Sequence, residues 1–480
     1  MDGFLGDDFD LIRSFWGQPP TYLLGLLASN ASGNVWNDWG LDATQGRGFL
    51  RPIHIWLLKL DTTLWGIRPV GFHITSTMAF AALIGLVFRI LETLGARRPA
   101  AILGAWVAAI HPIFSASVPF IAAREETLTT AFCLAAFLCF LKMRIHGAAP
   151  VSIFLVYALA LLTKETAVVW AALPLGYDLI VGPGPGRHWP RRRDLLAFYG
   201  GLAALLGAYL ALRYAAFGNV VAGDGSPTNY LSIAAFAEYH AQFWRGILGD
   251  PRLEPCGLPI LRAAALAAAL SLLVLAVLRK TAAPTGWRRQ ALFFGGFWYF
   301  ATTAVFYGTY FDDRHHGLPL VGLALFLALA ADRALGRLAT VGCAAVTATA
   351  AGVMAVVLLP PTLSRAGTFS EASRVTARVR ERIEQHSRHL PDGSRVLLIG
   401  TPLQEEPPYY FGWGLQSALS RPFTASDAAQ RLRIFDRRDW ALNRRQGRLP
   451  STFDFEIRFA PSPPGTILHA GPPAAPREHN

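Results

Sequence analysis

Apolar residues in this 480-residue chain run in long unbroken blocks rather than in alternation. The blocks fall at about 69–92, 99–113, 126–143, 150–163, 165–181, 194–216, 258–279, 289–309, 316–335 and 340–360. A helix that crosses a bilayer needs roughly 20 mostly apolar residues. The shorter blocks suit tilted or broken helices that other helices bury. The pattern predicts about ten transmembrane helices. Residues 53–65 are too short and too polar to span, but Ile53, Trp56, Leu57, Leu60 and Leu64 share one helical face. That face predicts a helix lying along the membrane surface. Beyond residue 360 the blocks stop. Residues 370–389 read as a helix, and 395–400 (RVLLIG), after the turn Pro391-Asp392-Gly393, read as a buried strand. The last twenty residues, rich in proline, read as a loose end. Three regions result: a segment 1–68 before the first span, a membrane bundle 69–360, and a soluble tail 361–480. The expected fold class is an all-α polytopic membrane protein with a small soluble α/β C-terminal domain.

Composition agrees with that pattern. Hydrophobic residues are 52% and charged residues only 16%, which excludes a disordered or fibrous chain and disfavours an ordinary soluble enzyme. The net charge of +12 invites a nucleic-acid partner until the charges are placed. With the first span running inward, one set of loops holds Arg97, Arg98, Lys142, Arg144, Arg187, Arg191, Arg192, Arg193, Arg279, Lys280, Arg288, Arg289, Arg333 and Arg337. The alternate loops hold little beyond Arg124, Lys164 and Arg314. The alternation obeys the positive-inside rule, so the basic balance is an orientation signal and no nucleic-acid partner is expected. It also puts residues 1–68 and the tail outside the cytoplasm. No cleavable signal peptide is visible at the start of the sequence. Four cysteines with no CxxC pattern form neither a disulfide framework nor a metal motif. Arginine far exceeds lysine, 40 to 4, and eukaryotic targeting signals are lacking, which suggests a bacterial inner membrane with the tail in the periplasm.

Charges at the bilayer edge are costly and tend to mark function. Here they gather on the outer side, in five groups. Asp7 and Asp8 lie in GFLGDDFDLI; paired carboxylates suit general-base work or a divalent cation, or form a solvated acidic segment. Arg51 precedes the surface helix. His111 and the run Arg124-Glu125-Glu126 bracket a loop, with the two glutamates also serving a helix N-terminus. Lys164 and Glu165 join two apolar runs as a structural ion pair or an anion site. Asp312, Asp313 and Arg314 precede His315-His316, where Arg314 offers a phosphate fork or a membrane-edge anchor. Adjacent histidines point apart on a helix, which disfavours a metal site at that pair and leaves the metal question open. Together the groups suggest a site for a phosphate-bearing lipid and a hydroxyl acceptor.

In their order, five stretches resemble the multi-pass GT-C glycosyltransferases, above all the membrane part of the transmembrane-and-tetratricopeptide-repeat O-mannosyltransferases and their bacterial relatives. The stretches are GFLGDDFDLI, FLRPIHIWLLKLDTTLWGIRPVGFHITS, AAIHPIFSASVPFIAAREETLTTAFCLAAF, LALLTKETAVVW and DDRHHGLPLVGLALFLAL, over roughly residues 3–335. The resemblance implies transfer of a sugar, in that family a mannose, from a polyprenyl-phosphate donor to a protein, lipid or glycan hydroxyl outside the cytoplasm. It implies Asp7 as catalytic base with Asp8 in support, and Arg51, Arg124, Lys164 and Arg314 either at the donor phosphate or holding the outer loops. His111, Glu165 and Asp313 are supporting candidates. No organic cofactor is implied; a divalent cation is a possible one. The chain departs from the family in three ways. It begins almost at the acidic motif, it shows no tetratricopeptide pattern, and it has His315 where an aromatic is commoner. A transporter or flippase for a lipid-linked solute is the alternative from another class, although no two related halves are visible. An inactive scaffold of the same fold is the third reading.

Overall fold

The computed structural model describes residues 3–19, 50–147, 150–182, 191–217, 220, 232–248, 286–307, 313–334, 340–403, 409–412, 414–436, 452–460 and 465–472. Helix α1 is Asp7–Phe15, α2 Pro52–Trp65, α3 Pro69–Thr93, α4 Arg98–Ile110, α5 Phe114–Ser117, α6 Arg124–His146 and α7 Val151–Thr163. A 3-10 turn, Glu165–Ala171, leads into α8 Ala172–Ile180, followed by α9 Arg192–Phe217, α10 Ile233–Leu248 and α11 Gly286–Thr303. Two further 3-10 turns, Ala304–Phe306 and Asp313–His316, precede α12 Gly317–Ala334 and α13 Thr340–Ser387. The remainder is β1 Arg395–Ile399, α14 Leu415–Ala418, α15 Ala428–Arg431, β2 Arg433–Phe435, β3 Phe455–Phe459 and β4 Ile467–Gly471.

Among the described residues, five stretches of helix, Pro69–Thr93, Arg124–His146, Arg192–Ala216, Arg314–Arg333 and Ala344–Ser387, are long and apolar enough to cross a membrane. The chain is an integral membrane protein. Two shorter apolar helices, α4 and α7, join these. The expected span 165–181 is instead a 3-10 turn followed by a short helix. The expected span 258–279 lies outside the described residues. Burial sorts the long helices: 72% of the α12 window is buried inside the protein but only 17% of the α9 window. A helix that is apolar yet poorly covered by protein turns its surface to lipid, whereas α12 is the centre of the bundle. Aromatic contacts lock that centre. Phe137 of α6 stands edge-on to Trp298 of α11 at 4.8 Å, and Trp298 Nε1 donates to the Leu318 carbonyl at 3.0 Å.

The residues after 360 differ from expectation in two respects. The last block and the tail helix are one continuous rod, α13, with Pro360 and Pro361 inside it. Each proline lacks an N–H and breaks the backbone ladder locally. Nearby, the Thr362 hydroxyl donates to the Ile110 carbonyl at 2.7 Å, which ties the rod to the end of α4. Second, the segment whose composition predicts a loose end contains β4, paired antiparallel with β3. Its short apolar run is masked in the sequence by the prolines on either side. The expected strand at 395–400 is β1, an inner strand of a sheet that among the described residues has four strands in the order β2-β1-β3-β4, and it runs parallel to both of its neighbours.

The sheet is not a separate appendage. One core joins Val375, Val379 and Ile383 of α13, Val396 and Leu398 of β1 and Ile457 of β3 to Phe4, Phe9, Ile12, Phe15, Leu58 and Phe72. Phe9 packs edge-on to Phe423 at 4.9 Å and stacks on Phe411 at 6.2 Å. Helix α1, with its acidic first turn, therefore rests on the C-terminal unit.

Candidate active site

Helix α1 starts at Gly6, whose positive φ of 44° turns the chain into the helix. Asp7, Asp8 and Asp10 fill its first turn, where the helix dipole favours negative charge. The two aspartates of the pair have different surroundings. Asp8 is 1% exposed; its Oδ2 accepts from the Leu5 N–H at 3.0 Å and its Oδ1 from the Ala122 N–H at 2.6 Å. Burial pushes its carboxyl up to about 8, against the pull of those two donors. Asp8 therefore staples α1 to the loop before α6. Asp7 is only half-buried, beside the backbone of Gly412.

The loop that Asp8 holds leads into Arg124, which is fully buried. Its Nε donates to Ser76 Oγ at 2.8 Å, one terminal nitrogen donates to the Phe72 carbonyl at 2.8 Å, and the other pairs with Asp61. Thr75 donates to the second Asp61 oxygen at 2.8 Å. Helices α2, α3 and α6 are clamped at this point. The apolar face foreseen for α2 is its more open side, with Leu60 and Leu64 exposed. The opposite face buries His54, Leu58, Asp61 and Thr62. A polar stripe on a surface helix thus turns inward to meet Arg124.

Beside the clamp, four separate segments converge. Arg51 forks onto Glu165 at 3.0 and 2.5 Å and reaches Glu125 at 2.6 Å. Lys164 Nζ lies 2.8 Å from Glu125 and 2.6 Å from Glu126. His315 Nε2 lies 3.4 Å from Glu126. Two fixed cations thus face three carboxylates in a network whose side chains are at most 20% exposed. Water screens such a cluster weakly, so its geometry is held by charge. His54 is buried beside it with neither ring nitrogen hydrogen-bonded to a described residue. Burial takes its imidazole down to about 3 and keeps it neutral.

Arg314 is held differently. Its guanidinium lies 5.8 Å from the Phe120 ring centroid and 5.6 Å from that of Tyr409. His111 sits at the end of α4, buried, its Nδ1 accepting from the Ile113 N–H at 3.2 Å, so it caps a turn. The side chain of Asp313, and the whole of Asp312, lie outside the described residues. Among the described residues no three His, Cys, Asp or Glu side chains are grouped to hold a metal ion. At the opposite end of the bundle the basic loops are tied by Arg144 on Asp178 and by Arg97 Nε on Asp332 at 2.7 Å.

The structure therefore brings Arg51, Glu125, Lys164, Glu165 and His315 into one network, with Arg124 and the Asp8 staple alongside. Sequence reasoning missed Asp61, Ser76 and His54. Asp61 had left a signal, since a carboxylate within the half-apolar run KLDTT requires a partner if that face is covered.

The chain resembles the TMTC O-mannosyltransferases, at low identity. It is 26% identical to protein O-mannosyl-transferase TMTC3 of Mus musculus over 190 residues, 38% of this chain and 20% of that protein. It is 29% identical to protein O-mannosyl-transferase Tmtc1 of Drosophila melanogaster over 153 residues, 30% of this chain and 17% of that protein. The matched part thus spans about a fifth of the length of these relatives. No family model matches. Among solved structures, ArnT from Cupriavidus metallidurans in the apo state aligns with a TM-score of 0.45 at 13% identity, over 96% of this chain and 89% of that one.

Proposed function

We propose that the chain is a glycosyltransferase that moves a sugar from a polyprenyl-phosphate donor to an acceptor hydroxyl on the non-cytoplasmic face of a membrane. Mannose is the sugar that the relatives' names favour. The observation that carries the reading is the meeting of Arg51, Glu125, Lys164, Glu165 and His315, from four distant segments, beside the acidic turn of α1.

The chemistry assigned to these groups is a single displacement. Asp7, the more open carboxylate, takes the proton of the acceptor hydroxyl. The acceptor oxygen attacks the anomeric carbon, and the bond from that carbon to the phosphate oxygen breaks. The electron pair departs with polyprenyl phosphate, and the configuration inverts. Stabilising the departing phosphate is where fixed cations lower the barrier most. Arg314, Arg51 and Lys164 are assigned that task. Glu125, Glu126 and Glu165 hold the latter two in position beforehand. Arg124 is assigned to the clamp with Asp61, and Asp8 to anchoring α1. The bilayer supplies the medium for the prenyl chain, and the acceptor is a protein, lipid or glycan. A bacterial inner membrane, with the C-terminal unit in the periplasm, completes the reading.

The test is a donor panel. Membranes holding the full chain are given polyprenyl-phosphate mannose, glucose and arabinose, each radiolabelled, and label is followed from lipid to acceptor. Transfer from one donor establishes the activity and its sugar. Uptake of lipid-linked sugar into proteoliposomes without transfer establishes a transporter instead.

A further inference from the structure

The C-terminal unit contributes a loop to the candidate site, and nothing in the roles assigned so far uses it. Tyr409 lies against Phe120 with ring centroids 5.4 Å apart, and Arg314 stands within 6 Å of both rings. The same loop grips the acidic turn. The Gly6 N–H donates to the Tyr410 carbonyl at 2.9 Å. A Cβ on Gly6 would stand 3.1 Å from Tyr409 Cβ, and a Cβ on Gly412 would stand 3.3 Å from Gly6 Cα and 3.9 Å from Asp7 Oδ1. Gly412 has a φ of 50°, which lets the backbone make that approach. One short loop therefore touches both the residue assigned as base and the cation assigned to the phosphate.

We infer that Tyr409 is a positioning residue for the donor phosphate, holding the Arg314 guanidinium over its ring face beside the acidic turn. A planar guanidinium on an aromatic face keeps its N–H edge directed outward for a two-point grip on phosphate. Lysine has no plane to stack. The inference rests on the donor reading above and extends it to a part of the chain that the motifs do not cover.

A double-mutant cycle on the full chain in nanodiscs tests it, with radiolabelled polyprenyl phosphate, lacking sugar, as the probe. Tyr409→Leu is expected to weaken binding about 3- to 30-fold, the range for losing a partly desolvated cation–π contact. Tyr409→Phe keeps the ring and is expected to recover most of that loss. Arg314→Lys weakens binding, and adding Tyr409→Leu to it costs little more, because the two residues act as one. Gel filtration and unfolding temperature confirm that each variant is folded. Losses that add fully, or a Tyr409→Phe as weak as Tyr409→Leu, overturn the positioning role. Wild-type protein that binds no polyprenyl phosphate overturns the donor reading, and this inference with it. Arg314-dependent binding that ignores Tyr409 leaves the donor reading standing and removes only this inference.

Discussion

Changing Asp61 to asparagine keeps the shape of the clamp and removes one charge. Arg124 and Asp61 are 0% and 2% exposed, so no water is available to solvate whichever charge is left. Breaking a buried pair from one side costs about 3–5 kcal/mol. The two sides differ in kind. Asp61 can take up a proton when Arg124 is replaced, and it keeps the Thr75 hydroxyl as a donor at 2.8 Å. Arg124 cannot release its proton, and in Asp61→Asn it stays charged and uncompensated. Asp61→Asn is therefore expected near the upper end of that range and Arg124→Met near the lower end. The double variant Asp61→Leu/Arg124→Met is expected to regain most of the loss, since apolar replacement of both partners removes the desolvation cost. The exposed pair Arg374–Glu371, 55% and 54% exposed, is the control; Glu371→Gln is expected to change stability by about 0–1 kcal/mol. Thermal unfolding in detergent, followed by tryptophan fluorescence, ranks the variants. An Asp61→Asn protein as stable as wild type, or a double variant no better than Asp61→Asn, refutes the reasoning.

Two further outcomes follow from the acidic turn. The Asp8 carboxyl rises from 3.8 to about 8 on folding. The native state therefore holds a proton that the unfolded chain has lost, and stability is expected to fall as pH rises from about 4 to about 8. Asp8→Asn has no carboxyl to titrate, so its unfolding temperature, measured across that range, is expected to lose that part of the slope; an unchanged slope places the titrating group elsewhere. A Cβ on Gly414 would stand 2.2 Å from the Gly6 carbonyl oxygen, a backbone atom that must then move. Gly414→Ala is expected to shift the acidic turn and lower kcat at least tenfold, with membrane insertion intact. Unaltered kcat shows that the turn is not set by that contact.

How much of this was legible in sequence depends on the kind of signal. Apolar blocks gave the long helices because a bilayer imposes a length and a composition on each one separately. The blocks around 165–181 and 340–360 were misjudged in shape, since a 3-10 break after Glu165 and a helix running through Pro360-Pro361 depend on neighbours. Arg51, Glu125, Lys164 and Glu165 stood out singly as charges out of place, but nothing local said they were one network. Their meeting is a property of how α2, α6 and α7 pack. Asp61 was overshadowed by the outward apolar face of α2, and Ser76, a lone hydroxyl inside the apolar run of α3, carried no signal of its own. Strand β4 was hidden by its proline-rich surroundings. The union of α1 with the C-terminal sheet was the least legible feature, because it joins residues about 400 positions apart through hydrophobic contacts that carry no motif.

The central claim concerns Asp7 and a lipid-linked sugar. Membranes with wild-type protein and with Asp7→Asn, matched for inserted protein, are given radiolabelled polyprenyl-phosphate mannose, and label is counted on lipid and on acceptor. The account predicts that wild type moves label from the lipid to a hydroxyl acceptor and that Asp7→Asn, which cannot take the acceptor's proton, moves essentially none. Equal transfer by Asp7→Asn would contradict the assignment of the base, and no transfer from any polyprenyl-phosphate sugar by well-inserted wild type would contradict the proposed activity itself.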